Sequence, residues 1–180
     1  GLPAVQSVFV PGSRSRRGRL FECGHGFPPH PCVLRPHRRG RIRLTRAGSR
    51  SPELAFTFLS DDRDGLVLLE GIKLARRILR ASAFDGIRGK EMAPVATLQT
   101  DAELMEYLRA SASTVFHPSG TCRMGSDSAS VLTPDLKVRG LKGLRVADTS
   151  IMPTLISGNT NAPTMMIGDK AADMILSELA

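Results

Sequence analysis

Three stretches of this chain repeat apolar residues at helical spacing, and that repeat constrains the fold more than any other feature of the sequence. In the first, Leu68, Leu69, Ile72, Ala75, Ile78 and Leu79 gather on one side of a helical period, which predicts an amphipathic helix. Ser60 is placed to cap it, and Asp61 and Asp62 suit the partial positive charge of its N-terminal end. The second begins at Thr100 with Glu103 three residues on, a capping box, and extends to about Ala112 with Leu104, Tyr107 and Leu108 as its apolar face. The third follows Pro163, whose missing N–H costs nothing in a first turn, and its stripe is Met166, Ile167, Ala171, Met174, Ile175 and Leu179. The methionines read as flexible core filler rather than sulfur ligands.

Between the helices, short runs punctuated by Pro and Gly read as strands: Val5 to Val10, Cys32 to Arg35, Arg41 to Thr45 and Leu54 to Leu59. Ile42 and Leu44 alternate with arginines, so one face of that strand is wet, and Pro36 and Gly40 bracket the turn before it. The pattern predicts an α+β fold: an antiparallel sheet with flanking helices. The last third reads as strand (Leu144 to Ala147), Asp148, polar loop (Gly158-Asn159-Thr160-Asn161) and helix. That order places backbone N–H groups where an anion or an electron-rich ring edge can sit.

Composition excludes several classes. With 41% hydrophobic and 23% charged residues among 180, the chain is globular rather than disordered. No apolar run approaches the roughly 20 residues of a membrane-spanning helix. Residues Gly1 to Val10 lack the basic start and apolar core of a secretory signal. Three cysteines, an odd number, fit a reducing compartment, so a cytoplasmic location is expected. Cys23, His25, His30 and Cys32 put four potential zinc ligands together, but each Cys-x-His pair is spaced too tightly for tetrahedral chelation, and no metal site is expected.

The net charge of +8 is unevenly spread. Residues 1–50 hold 11 arginines and one acid, Glu22, for a net of +10; residues 51–180 hold 14 basic and 16 acidic side chains, for a net of −2. The basic clusters are Arg14, Arg16, Arg17 and Arg19, and Arg35 to Arg46. Arginines pair with phosphates, yet with seven Phe, one Tyr and no Trp no stacking platform for single strands is visible, so the expectation is no nucleic acid.

Two polar constellations remain. One is the Pro/Gly-framed loop His117-Pro118-Ser119-Gly120-Thr121-Cys122-Arg123-Met124-Gly125; the other is Asn159-Thr160-Asn161-Ala162-Pro163-Thr164, at the entrance to the last helix. A lone loop histidine is either structural or a proton-transfer group that titrates in the neutral range. Ser119 and Cys122 lack the strand–elbow–helix setting of a nucleophile.

Together, "FHPSGTCRMG", "VLTPDLKVRGLKGLRVADTSIMP" and "SGNTNAPTMMIGDKAADMI" resemble the C-terminal signature of the glucose–methanol–choline (GMC) oxidoreductases, in order and spacing, from Phe116 to Ile175. Weaker similarity runs upstream to about Phe9: "CVLRPHRRGRIRL" resembles the family's R-P-x-S-R-G segment and "FLSDDRDGLVLLEGIKLARRIL" its Y-L-S-x-x-D helix. The closest flavour is that of the choline-dehydrogenase-like and alcohol-dehydrogenase-like members.

The resemblance implies FAD as cofactor and an alcohol as substrate, with hydride passing to flavin N5. It puts the family's catalytic histidine on His117 and the partner position, His or Asn in different members, on Asn159, which orients the alcohol. Phe116, Asp148, Asn159, Thr160, Asn161 and Ala162 are implied in cofactor binding. Residues 1–140 then form the substrate domain, with 1–30 poorly matched, and 141–180 supply the last strand and helix of a Rossmann-like FAD domain. The G-x-G-x-x-G fingerprint of the N-terminal dinucleotide-binding part is absent, so that FAD-binding half is an expected partner. The family's I-D-P reads Phe56-Thr57-Phe58 here. The alternative reading is a non-catalytic remnant or a basic polyanion-binding module.

Overall fold

All three apolar stripes fold as helices. The computed structural model describes residues 1–10, 26–48 and 50–179. Its elements are β1 (Val5–Phe9), β2 (Pro29–Val33), β3 (Arg41–Arg43), β4 (Glu53–Ala55), α1 (Asp62–Leu79), α2 (Asp101–Ser111) and α3 (Asn161–Leu179). Arg14, Arg16, Arg17, Arg19, Cys23 and His25 lie outside the described residues. The chain divides into two compact units, Gly1–Arg39 with Thr57–Ser113 and Gly40–Phe56 with Thr114–Ala180.

In the first unit β1 and β2 pair antiparallel, with Val5 opposite Val33 and Phe9 opposite Pro29. The predicted strand at Cys32 to Arg35 therefore starts earlier and ends at Val33. Both strands of a two-stranded sheet are edge strands, where the missing N–H of Pro29 and Pro31 is tolerated. Helix α1 packs on this sheet at Gly71, where a Cβ would come within 3.0 Å of Pro31 Cβ and 3.1 Å of Val5 Cγ1. Glycine is what allows that approach.

The cap of α1 is Asp61 rather than Ser60, because the helix begins at Asp62. The Asp61 carboxylate accepts the Arg63 N–H at 3.0 Å and also the Arg63 guanidinium, which together hold its pKa down to about 2. One turn on, the buried Asp64 carboxylate accepts the N–H groups of His37 (2.8 Å) and Arg38 (3.0 Å) and pins the turn after β2 to the helix. Helix α2 keeps its predicted capping box: Thr100 Oγ1 accepts the Glu103 N–H, and Glu103 Oε2 accepts the Thr100 N–H at 2.8 Å. Leu104 and Leu108 then meet Leu69 and Ile72 of α1, with Leu104 only 1% exposed.

In the second unit β3 and β4 pair antiparallel, Ile42 opposite Leu54. The predicted strand Leu54 to Leu59 stops at Ala55, because Thr57 and Leu59 take positive φ (46° and 54°), which no strand accommodates. Among the described residues the expected single sheet is thus two separate two-stranded ones. The predicted strand Leu144 to Ala147 does not form either. It reduces to a bridge between Lys137 and Arg145, flanked by bonds from Val138 N–H to Leu144 O (3.0 Å) and Val146 N–H to Leu136 O (3.2 Å). A ladder needs successive pairs, and among the described residues this segment makes one bridge.

Leu132, Leu136, Ile151, Met152, Ile167 and Ala171 form the core of this unit, with Cys122, Met124 and Met174 against it. The predicted stripe of α3 is only partly buried: Ile167 and Ala171 are covered, while Met166, Ile175 and Leu179 are exposed. Apolar periodicity marks both sides of α3, but the described core covers one. No helix among the described residues is long and apolar enough to cross a membrane.

Candidate functional site

The site is assembled where two irregular segments of the second unit run side by side. Gly120 N–H bonds to Thr149 O (3.3 Å), Cys122 N–H to Ser150 O (3.0 Å) and Met124 N–H to Ile151 O (2.8 Å). These bonds lay the histidine loop along the short 3-10 turn Thr149–Ile151 that leads toward α3. Gly120 sits at φ +83° with the Met152 carbonyl 3.2 Å from where a Cβ would be, so a side chain there would be both strained and crowded.

The result is one specific contact. His117 Nδ1 lies 2.8 Å from Thr160 Oγ1, with the imidazole half-buried and Thr160 7% exposed. The Thr160 carbonyl accepts the Thr164 N–H at 3.0 Å, so the residue that holds the histidine also opens α3. Asn159 precedes it and is exposed; Asn161 and Ala162 follow, exposed, as the first two residues of the helix. Phe116, next to the histidine, is 80% exposed at φ +65°. That conformation costs a non-glycine residue on the order of 1 kcal/mol and turns a large ring toward solvent.

Asp148 takes a different part. Its carboxylate accepts the Ser150 N–H at 2.7 Å and caps the turn Thr149–Ile151; the structure gives it no bond to His117 or Thr160. Cys122 is half-buried against the core, and neither it nor Ser119 is bonded to the histidine. Cys32, in the first unit, is no activated thiol: burial pushes its pKa up. Among the described residues no three His, Cys, Asp or Glu side chains cluster to hold a metal ion.

The electrostatics of the helix starts differ. Helices α1 and α2 carry carboxylates in their first turns, whereas α3 carries none. Its N–H groups at Asn161 and Ala162 have no carbonyl within the helix to bond, and Pro163 has no N–H at all. A helix start without first-turn acids, tied to an imidazole by the His117–Thr160 bond, fits the electron-rich edge of an isoalloxazine. The residues present fit that part of FAD and not its nucleotide, for which no βαβ unit exists among the described residues.

Sequence reasoning placed Thr160 among cofactor-binding residues and missed its bond to His117. A signal was present: a threonine three residues before a proline at a helix start, where one of the two N–H groups that could occupy its hydroxyl is missing.

A family model described as GMC oxidoreductase matches residues 36–168. The chain is 42% identical over 178 residues to alcohol dehydrogenase [acceptor] of Pseudomonas putida, covering 98% of this chain and 32% of that protein. It is 42% identical to oxygen-dependent choline dehydrogenase 1 of Chromohalobacter salexigens, covering 96% of this chain and 31% of that one. Among solved structures, a formate oxidase of Aspergillus oryzae RIB40, studied for its FAD modification, superposes with a TM-score of 0.88 at 27% identity, over 99% of this chain and 32% of that one. The chain thus spans about a third of the length of the relatives it matches.

Proposed function

The chain belongs to the GMC oxidoreductase family, and from that premise we propose that it forms the substrate-facing part of an FAD-dependent enzyme that oxidises an alcohol, with His117 as the base. The observation that carries the reading is the His117–Thr160 bond, which fixes an imidazole at the start of a helix lacking first-turn acids. Bound there, FAD supplies the acceptor for the hydride that leaves the alcohol carbon.

The chain's own residues do the rest. His117 Nε2, the nitrogen not turned to Thr160, takes the hydroxyl proton, so the oxygen gains alkoxide character as the C–H bond breaks. An alcohol losing one proton and one hydride leaves as the carbonyl compound. The Asn159 amide cannot take a proton and instead orients the hydroxyl. Asn161, Ala162 and exposed Phe116 would help hold the flavin, the N–H groups of the helix start favouring negative charge on it. Asp148, by the family resemblance, would be among the residues that hold the cofactor. Residues 141–180 join the FAD-binding fold, and the dinucleotide-binding half is supplied outside the described residues. Names of the relatives favour an alcohol such as choline as substrate.

The test is anaerobic bleaching of the flavin bands in the FAD-loaded protein on adding a primary alcohol or choline. Bleaching is expected with the natural sequence and should slow by roughly 10²–10⁴ in His117→Ala, with flavin retained. Equal rates in the variant would remove His117 as base; failure to hold flavin with its dinucleotide-binding half present would remove the reading altogether.

A further inference from the structure

The hydroxyl of Thr160 has an unusual commitment for its position. A threonine that opens a helix ordinarily turns its side-chain oxygen to the N–H of the second or third helical residue. Here the third residue of α3 is Pro163, which has no N–H, and the Thr160 hydroxyl bonds His117 Nδ1 at 2.8 Å instead. The threonine is buried, its carbonyl accepts both the Thr164 N–H and the Thr164 hydroxyl, and its backbone is thereby tied to the helix. The side chain reaching the histidine therefore stands on a rigid element.

A neutral imidazole carries its proton on one nitrogen or the other, and the bond made by one fixes the state of its mate. Pro163 removes one of the two N–H groups that could compete, and the Thr160 hydroxyl is seen on His117 instead, its lone pairs able to accept from Nδ1–H. The Nε2 then carries a bare lone pair, directed away from Thr160. We propose that Thr160 is a positioning residue that holds His117 in the Nδ1–H tautomer and so leaves Nε2 as the basic nitrogen. The inference rests on the reading of His117 as base, but its direct test does not depend on activity. Threonine at this place thus does two separable jobs: its carbonyl opens α3 and its hydroxyl sets the histidine.

The experiment is a long-range proton–nitrogen correlation spectrum of the protein labelled with ¹⁵N-histidine, at roughly pH 8.5, above the ordinary range of histidine titration. The natural sequence should show a protonated Nδ1 and a bare Nε2 for His117, assigned by the signal lost in His117→Ala. Thr160→Val, which keeps the branched shape and removes the hydroxyl, should mix the two tautomers, and Thr160→Ser should restore the single one. In flavin reduction by alcohol, Thr160→Val should lower the limiting rate about tenfold with half-saturation little changed, and Thr160→Ser should recover it. A protonated Nε2 in the natural protein overturns the proposal without any variant having to fold, and so does a spectrum indifferent to Thr160→Val. If the tautomer follows Thr160 while flavin reduction ignores His117→Ala, the positioning by Thr160 stands and the base role falls.

Discussion

Two helices of this protein begin at a threonine, and the two hydroxyls are put to different uses. Thr100 caps α2: its hydroxyl accepts the Glu103 N–H, and the Glu103 carboxylate returns the bond and supplies negative charge to the helix start. Thr160 opens α3, where proline replaces the N–H in question and no acid stands in the first turn, and its hydroxyl goes to His117. The first helix start is complete in itself. The second has no acid in its first turn and its side-chain oxygen is committed to the candidate histidine. The same split runs through the packing. Leu104 and Leu108 of α2 are buried against α1, whereas α3 buries Ile167 and Ala171 and leaves Met166, Ile175, Leu176 and Leu179 exposed.

The largest expected effect separates chemistry from stability: His117→Ala should slow flavin reduction by roughly 10²–10⁴ while the melting temperature hardly moves. If the variant instead unfolds, the loop is scaffold and the contrast with α2 disappears. Next comes the core of the self-sufficient pair. Leu104→Ala should cost about 2–5 kcal/mol in denaturant unfolding, against less than about 0.5 kcal/mol for Leu176→Ala on the open side of α3. Similar costs at both positions would mean that α3 is covered after all. A smaller difference is expected at the two threonines. Thr100→Ala removes a cap and should destabilise by about 1 kcal/mol, whereas Thr160→Val, removing no cap bond, should change stability less while altering His117.

The smallest effect is acid-dependent. The Asp61 carboxylate, held at about 2 chiefly by the Arg63 guanidinium, is depressed below its ordinary value of 3.8, so its contribution is full above roughly pH 4 and is lost as pH falls through about 2. The Glu103 carboxylate is also lowered, chiefly by the Thr100 N–H, and its contribution fades in the same direction. Amide shifts at Arg63 and Glu103 should therefore titrate in acid, while those at Asn161 and Ala162, in a helix start without acids, should stay flat. A matching acid transition at α3 would show a carboxylate from elsewhere serving that helix.

Much of this was legible before the structure. The capping box of α2 uses residues three apart, so Thr100 and Glu103 announce it by spacing alone. The signature around His117 and Asn159 to Pro163 located both halves of the candidate site, because each half is a contiguous segment. The misjudged elements depend on neighbours. Leu144 to Ala147 has the composition of a strand, yet a strand exists only as part of a ladder, and here it finds a single bridge. The stripe of α3 is apolar on more sides than the described core covers, and periodicity records which residues avoid water, not what shields them. Asp61 displaced Ser60 as a cap because the choice between adjacent polar residues turns on where the first helical turn begins.

Local order, then, was determined by the sequence itself: helix starts, glycine-bearing turns and the residue types of the two polar loops follow from interactions across three or four positions. The pairing of His117 with Thr160, 43 residues apart, belongs to the tertiary structure alone. It arises because the loop at 120–124 lies along Thr149–Ile151 and because Ile151, Met152 and Ile167 share one core, which brings the start of α3 to the imidazole. No local pattern encodes that distance; packing and backbone bonding decide it.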